Sequence, residues 1–174
     1  MIAPARQFTW PLQVAGEEDA LARGAMLLQV QPRSGGSFLA TCALGFSSGS
    51  VASGVFAMPE PDEICAVAGG YAYLVDTLRP ETVEIVPLRP VVEVLPVPSC
   101  DVVVFRGFHH LYVRGASEVR WQTPRLSWEG ITLGEVSGDL LHGTGWEMQT
   151  DKEIPFTVNL RTRECVGGGF LPPS

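Results

Sequence analysis

Turn-forming residues break this chain so often that no apolar run is long enough for an extended helix. Between Glu63 and Pro87, the breaks Pro59-Glu60-Pro61-Asp62, Gly69-Gly70 and Leu78-Arg79-Pro80-Glu81 leave only EICAVA, YAYLVDT and TVEIVP between them. Each run has the length of one strand, and glycine pairs and proline supply the backbone conformations that tight turns need. The same rhythm holds elsewhere. AMLLQVQP and FLATCALGF flank Arg33-Ser34-Gly35-Gly36-Ser37, a hairpin signature. VVEVLPV, DVVVFRG, HHLYVRG and EVRWQT follow, and then ITLGEVS, DLLHGTGW and PFTVNLRTRECVGGG. With 19 Gly and 14 Pro spread along 174 residues, the pattern predicts an all-β chain of antiparallel meanders. One segment reads otherwise: Gly16–Gly24, GEEDALARG, with acidic residues leading and a glycine closing, predicts one or two helical turns. Residues 1–24 are therefore expected to form an N-terminal arm, with Trp10 packing on the body, and residues 25–174 a single all-β domain.

A unit recurs. Gly70-Tyr71-Ala72-Tyr73-Leu74-Val75-Asp76 aligns with Gly107 to Arg114 if one residue is inserted, and Phe156-Thr157-Val158-Asn159 is a looser third copy. In this alignment Val83 and Ile85 match Val119 and Trp121. Val75, Val113 and Val158 are 38 and 45 residues apart, the length of a four-stranded propeller blade. The expected units are 52–87, 91–122 and 131–170. The segment His110-Leu111-Tyr112-Val113-Arg114-Gly115-Ala116-Ser117-Glu118-Val119-Arg120-Trp121, and with it Phe156–Glu164, resembles the repeat of quinoprotein-type (PQQ-like) β-propellers over about residues 52–165. The resemblance implies blade-like strand packing. It does not imply the quinone cofactor, because Arg114 stands where those repeats carry Asp and the Thr-Gly turn is altered. Three blades do not close a ring. The expected architecture is an open stack or a β-sandwich whose exposed edges favour self-association, so a homodimer is expected.

Composition narrows the partners. The net charge is −7, and the basic side is eleven Arg and the single Lys152, without a basic run. Such a chain has little to gain from phosphate contacts or an anionic lipid surface, so neither nucleic acid nor membrane is expected. No apolar stretch approaches the span of a bilayer, and MIAPARQFTWPLQ lacks the apolar centre of a signal peptide; a cytoplasmic location is expected. Cys42, Cys65, Cys100 and Cys165 form no C-x-x-C pair and lie in or beside apolar runs, which predicts free thiols in a reducing compartment. Neither metal nor cofactor is expected.

Four sets of residues carry candidate chemistry. His109 and His110 are adjacent; on a regular strand they point to opposite faces and cannot share a metal. His142 lies in LLHGTGWE; a loop at Gly143–Gly145 would bring it near Glu147 or Asp151 as a cation site or general base. Gly45-Phe46-Ser47-Ser48-Gly49 fits the G-x-S-x-G nucleophile elbow, but the elbow needs a helix next and a strand-like SVASGVF follows. Tyr71, Tyr73, Tyr112, Arg114 and Trp121 could form an aromatic, arginine-bearing face. The reading that follows is a non-catalytic interaction or scaffold domain, which binds a protein partner through a sheet edge or that face. Its acidic body suits a basic protein. The rival is a small-ligand or metal-dependent enzyme centred on His142, Glu147 and Asp151.

Overall fold

The structure, a computed structural model, describes residues 6–10, 20–46, 48–117 and 119–170. It is all-β, and it divides into two compact units, Met1–Val91 and Val92–Ser174.

The first unit holds two sheets. β1 (Arg6–Trp10), β2 (Ala25–Val30) and β3 (Phe38–Ala43) form a three-stranded sheet in the order β1-β3-β2. β2 and β3 make the hairpin that Gly35 and Gly36 turn, with φ of 88° and 78°. β1 runs parallel to β3, from Arg6 opposite Phe38 to Trp10 opposite Cys42. Residues 6–10 thus belong to a sheet, which their sequence, lacking alternation, did not announce. The packing of the Trp10 side chain lies outside the described residues. Of the expected helix Gly16–Gly24, residues 16–19 lie outside the described residues; Ala20–Arg23 is a single 3-10 turn, closed by Gly24 at φ 105°. β4 (Gly54–Ala57), β5 (Glu63–Ala68), β6 (Tyr71–Asp76) and β7 (Val83–Ile85) form an antiparallel meander. The two sheets share a core in which Phe38, Ala40 and Cys42 of β3 meet Ala66, Ala68, Tyr71, Tyr73 and Val75 of β5 and β6.

The second unit repeats the arrangement with two four-stranded meanders. One is β8 (Glu93–Val97), β9 (Val102–Arg106), β10 (Leu111–Gly115) and β11 (Arg120–Gln122). The other is β12 (Ile131–Ser137), β13 (Leu140–Glu147), β14 (Lys152–Asn159) and β15 (Cys165–Gly167). Val104, Leu111 and Val113 from one sheet pack with Leu141, Phe156 and Val158 from the other, and Leu126 lies in the same cluster.

Val75, Val113 and Val158 occupy equivalent places: each is fully buried on the third strand of its meander. Across the last hairpin, Val75 faces Val83, Val113 faces Trp121 and Val158 faces Cys165. The first two hairpins therefore align without a gap, and Val83 corresponds to Trp121 rather than to Val119. Matching Val83 to Val119 displaced this register by two residues, which keeps the face and so hides in an alternating pattern.

All four cysteines are free, Cys42 and Cys65 being buried. No helix among the described residues is long and apolar enough to cross a membrane.

Candidate functional site

His142, Glu147 and Asp151 do not converge. β13 runs unbroken from Leu140 to Glu147, each residue paired with β14, so the expected loop at Gly143–Gly145 is strand. The glycines are there for close approach. A Cβ on Gly143 would lie 2.6 Å from the Thr132 carbonyl oxygen and against the Phe156 ring. One on Gly145 would overlap the Leu126 carbonyl oxygen, with the Leu126 carbonyl carbon at 3.0 Å and Ser127 Cβ at 3.1 Å. Five residues apart on one strand, His142 and Glu147 face opposite sides. Each has its own local partner. His142 Nδ1 lies 3.1 Å from Thr157 Oγ1. Glu147, only 5% exposed, accepts from the Gln149 and Thr150 amides at 3.3 and 3.1 Å and from the Thr150 hydroxyl, and so caps its own turn. Asp151 takes the Trp146 indole N–H at 2.8 Å. No group of three potential metal ligands occurs among the described residues.

The aromatic face is not a surface either. Tyr71 and Tyr73 lie in the first unit's core, where the Tyr73 hydroxyl donates to the Ala43 carbonyl at 2.7 Å. Tyr112 is buried beside Phe105, with ring centroids 6.1 Å apart, and Arg114 is only 7% exposed. Trp121 is half-buried against the second unit's core. Alternation showed correctly that Tyr71 and Tyr73 share a face, but not that the face meets another sheet.

His109 and His110 lie in the turn before β10 rather than on it, with Gly107 N donating to His110 O at 3.0 Å. Their rings stand edge-on, with centroids 6.4 Å apart, and take different partners: His110 Nδ1 approaches the Thr123 carbonyl at 3.2 Å, and His109 Nδ1 approaches Arg125 Nη2 at 3.3 Å. Burial, and then the Arg125 guanidinium, hold His109 below the usual imidazole value. Arg125 also donates to the Ser127 and Trp128 carbonyls at 2.9 and 2.7 Å, and its Cζ lies 5.2 Å from the Trp128 ring and 4.6 Å from Phe170. The sequence reading missed this clamp. Its parts are 45 residues apart between Arg125 and Phe170, and no local pattern joins them. With Nε and Nη2 both spent on backbone carbonyls, it fastens the segment before β12.

Of the Gly45–Gly49 motif, Ser47 lies outside the described residues; no helix follows, and Ser48 bonds Ser50 at 2.6 Å. The helix that a nucleophile elbow requires next is therefore absent among the described residues.

What the sheets do present is an edge. Four of the eight end strands among the described residues, β4, β7, β11 and β15, have only three or four residues. β8 carries Pro96, which has no N–H to offer, and β12 carries a bulge between Leu133 and Val136. β1 begins with Arg6, which pairs with Glu81 at 3.7 Å. These are the devices that keep sheet edges from pairing. β2 has none of them: AMLLQV is six residues long, uncharged and without proline or bulge. The Leu44 amide donates to the Gly24 carbonyl at 3.1 Å in the register that sets Ala25 opposite Ala43. Even-numbered residues of β2 thus bond to β3, and Ala25, Leu27 and Gln29 turn their N–H and C=O groups outward. No strand among the described residues pairs with that side. Leu27 is 76% exposed and Leu39 on β3 is 39% exposed. Beside them Gln7, Leu28, Ala40 and Thr41 complete a shallow groove of about 230 Å³.

No protein-family model matches the chain, and no curated protein matches it in sequence.

Proposed function

We propose that the chain is a non-catalytic interaction module that takes an extended segment of a protein partner along β2. One observation carries the reading: β2 is the only end strand among the described residues that is long, uncharged and unguarded. An added strand gains main-chain hydrogen bonds from Ala25, Leu27 and Gln29, which bind any sequence. Leu27, Leu39 and the groove beside them select apolar side chains at alternate positions. The four-stranded meander is the unit that quinoprotein-type propellers repeat, and the reading takes from that resemblance a rigid scaffold and no cofactor. The dispersal of His142, Glu147 and Asp151 speaks against the enzyme reading.

A displayed library of random nonapeptides, panned against the protein and counter-screened on Leu27→Lys, tests this. The expected winners alternate apolar and polar residues, lose binding to the lysine variant, and shift the amide resonances of residues 25, 27 and 29. Winners that bind Leu27→Lys equally well, or that shift only other amides, overturn the proposal.

A further inference from the structure

We infer that the segment β2 takes is β2 of a second copy of this chain, laid antiparallel about a twofold axis at Leu27. This rests on the reading of β2 as a docking edge and names its occupant.

The geometry is self-complementary. The outward-facing residues of β2 are three in number and centred on Leu27. Antiparallel self-pairing sets Leu27 against Leu27 of the partner subunit, and Ala25 against Gln29 of the partner subunit. Each copy brings three N–H and three C=O groups, so twice three, six, hydrogen bonds form and every outward group of β2 is satisfied. No shift of register is needed to avoid a proline or a charge, because β2 contains neither.

Both faces of the seam then match. On the outer face the two Leu27 side chains meet at the axis, and each Leu39 flanks them diagonally, since Leu39 stands opposite Gln29. On the inner face Met26, Leu28 and Val30 are only partly buried against the first unit's core. In the paired sheet Met26 gains Leu28 of the partner subunit as its neighbour, and Leu28 gains Met26. Two three-stranded sheets become one of six strands with an apolar stripe on each side of its centre.

Charge favours this occupant over a basic one. The chain carries a net −7, yet neither β2 nor the groove beside it holds a charged residue. A surface selected for a cationic segment would place carboxylates along its rim. A neutral seam lets two acidic bodies approach without setting like charges against each other. One pair of strands is a small interface, so the association is concentration-dependent rather than permanent.

Light scattering across about 1 to about 100 µM protein is the test. The expected result is a mass that rises towards twice the chain mass in the parent. Leu27→Lys and Leu27→Glu, each setting like charges opposite one another at the axis, should stay monomeric. An equimolar mixture of the two variants should recover the doubled mass, which no loss of folding would produce. A parent that is monomeric throughout overturns the inference, as does a dimer that persists in both charge variants. If that monomeric parent still binds selected nonapeptides through the amides of residues 25, 27 and 29, self-pairing alone has failed. If it binds none there, the docking edge has failed with it.

Discussion

Gly145→Ala is the sharpest probe of the reading of β13. As a loop glycine, Gly145 would accept alanine at little cost. As a strand glycine it cannot, because the new Cβ would meet Leu126 backbone and the Ser127 Cβ, with 3.0 Å to the carbonyl carbon, 3.1 Å to Cβ and less to the carbonyl oxygen. An ordinary contact needs about 3.5 Å, so the Leu126–Ser127 backbone has to retreat by roughly an ångström at its carbonyl oxygen. It is held where it is. Leu126 O accepts Gly169 N at 2.8 Å, Trp128 N donates to Trp146 O at 3.0 Å, and Trp146 N donates to Ser127 Oγ at 2.9 Å. Overpacking against such a wall costs about 1–3 kcal/mol, and each of these hydrogen bonds that is strained costs about 1 kcal/mol more. The expected loss is therefore about 2–4 kcal/mol, which lowers a urea midpoint by about 1–2 M. Trp128 and Trp146 flank the site, so tryptophan fluorescence reports its unfolding directly. Gly49→Ala is the control: nothing lies within 4 Å of the added carbon, and the expected change is within about 0.5 kcal/mol. A Gly145→Ala protein as stable as that control would refute the argument that these glycines exist for close packing.

Two further outcomes follow from buried and hydrogen-bonded titratable groups. Burial pushes the Cys42 thiol up to about 12, and burial, with Glu63 and Cys42 nearby, raises Cys65 further. The thiolate is the form that alkylates, and at pH 8 only about one Cys42 thiol in ten thousand is ionised; native iodoacetamide labelling read by peptide mass spectrometry should mark Cys100 long before Cys42 or Cys65, and equal rates would contradict this. At Asp76, burial works to raise the carboxyl. The Leu78 and Arg79 amides at 2.9 and 3.2 Å, with the Arg79 guanidinium at 2.8 Å, outweigh it and hold the group below its ordinary value. A depressed carboxyl stabilises the fold fully above the unfolded value near 4 and loses that contribution as pH falls through the folded value. The stability gap between the parent and Asp76→Asn should thus be largest near neutral pH and shrink as pH falls through the depressed folded value; a gap that stays constant with pH would show that the amides do not hold the charge.

The all-β class and the antiparallel pairing were legible in the residues because turns are local. Gly35-Gly36 and Gly69-Gly70 take the positive φ that only glycine adopts cheaply, and they do so wherever the strands around them end up. Period two likewise shows which side chains share a face, and so it grouped Tyr71 with Tyr73. It cannot show which face meets another sheet, and so it mistook a core for a surface. Glycine itself carries the same ambiguity. In Gly143-Thr144-Gly145 the chain needs the missing Cβ for the Thr132 oxygen, the Phe156 ring and the Leu126 carbonyl, none of which is near in sequence. That one misreading assembled His142, Glu147 and Asp151 into a site that the unbroken strand keeps apart. The edge strand is a mixed case. The absence of charge and proline in AMLLQV stands in the sequence. That β2 ends its sheet, with Ala25, Leu27 and Gln29 turned outward, is decided by β1 pairing with the far side of β3. Local chemistry chooses strands and turns; burial and edges depend on which strands pair and which faces meet, and only the folded chain settles both.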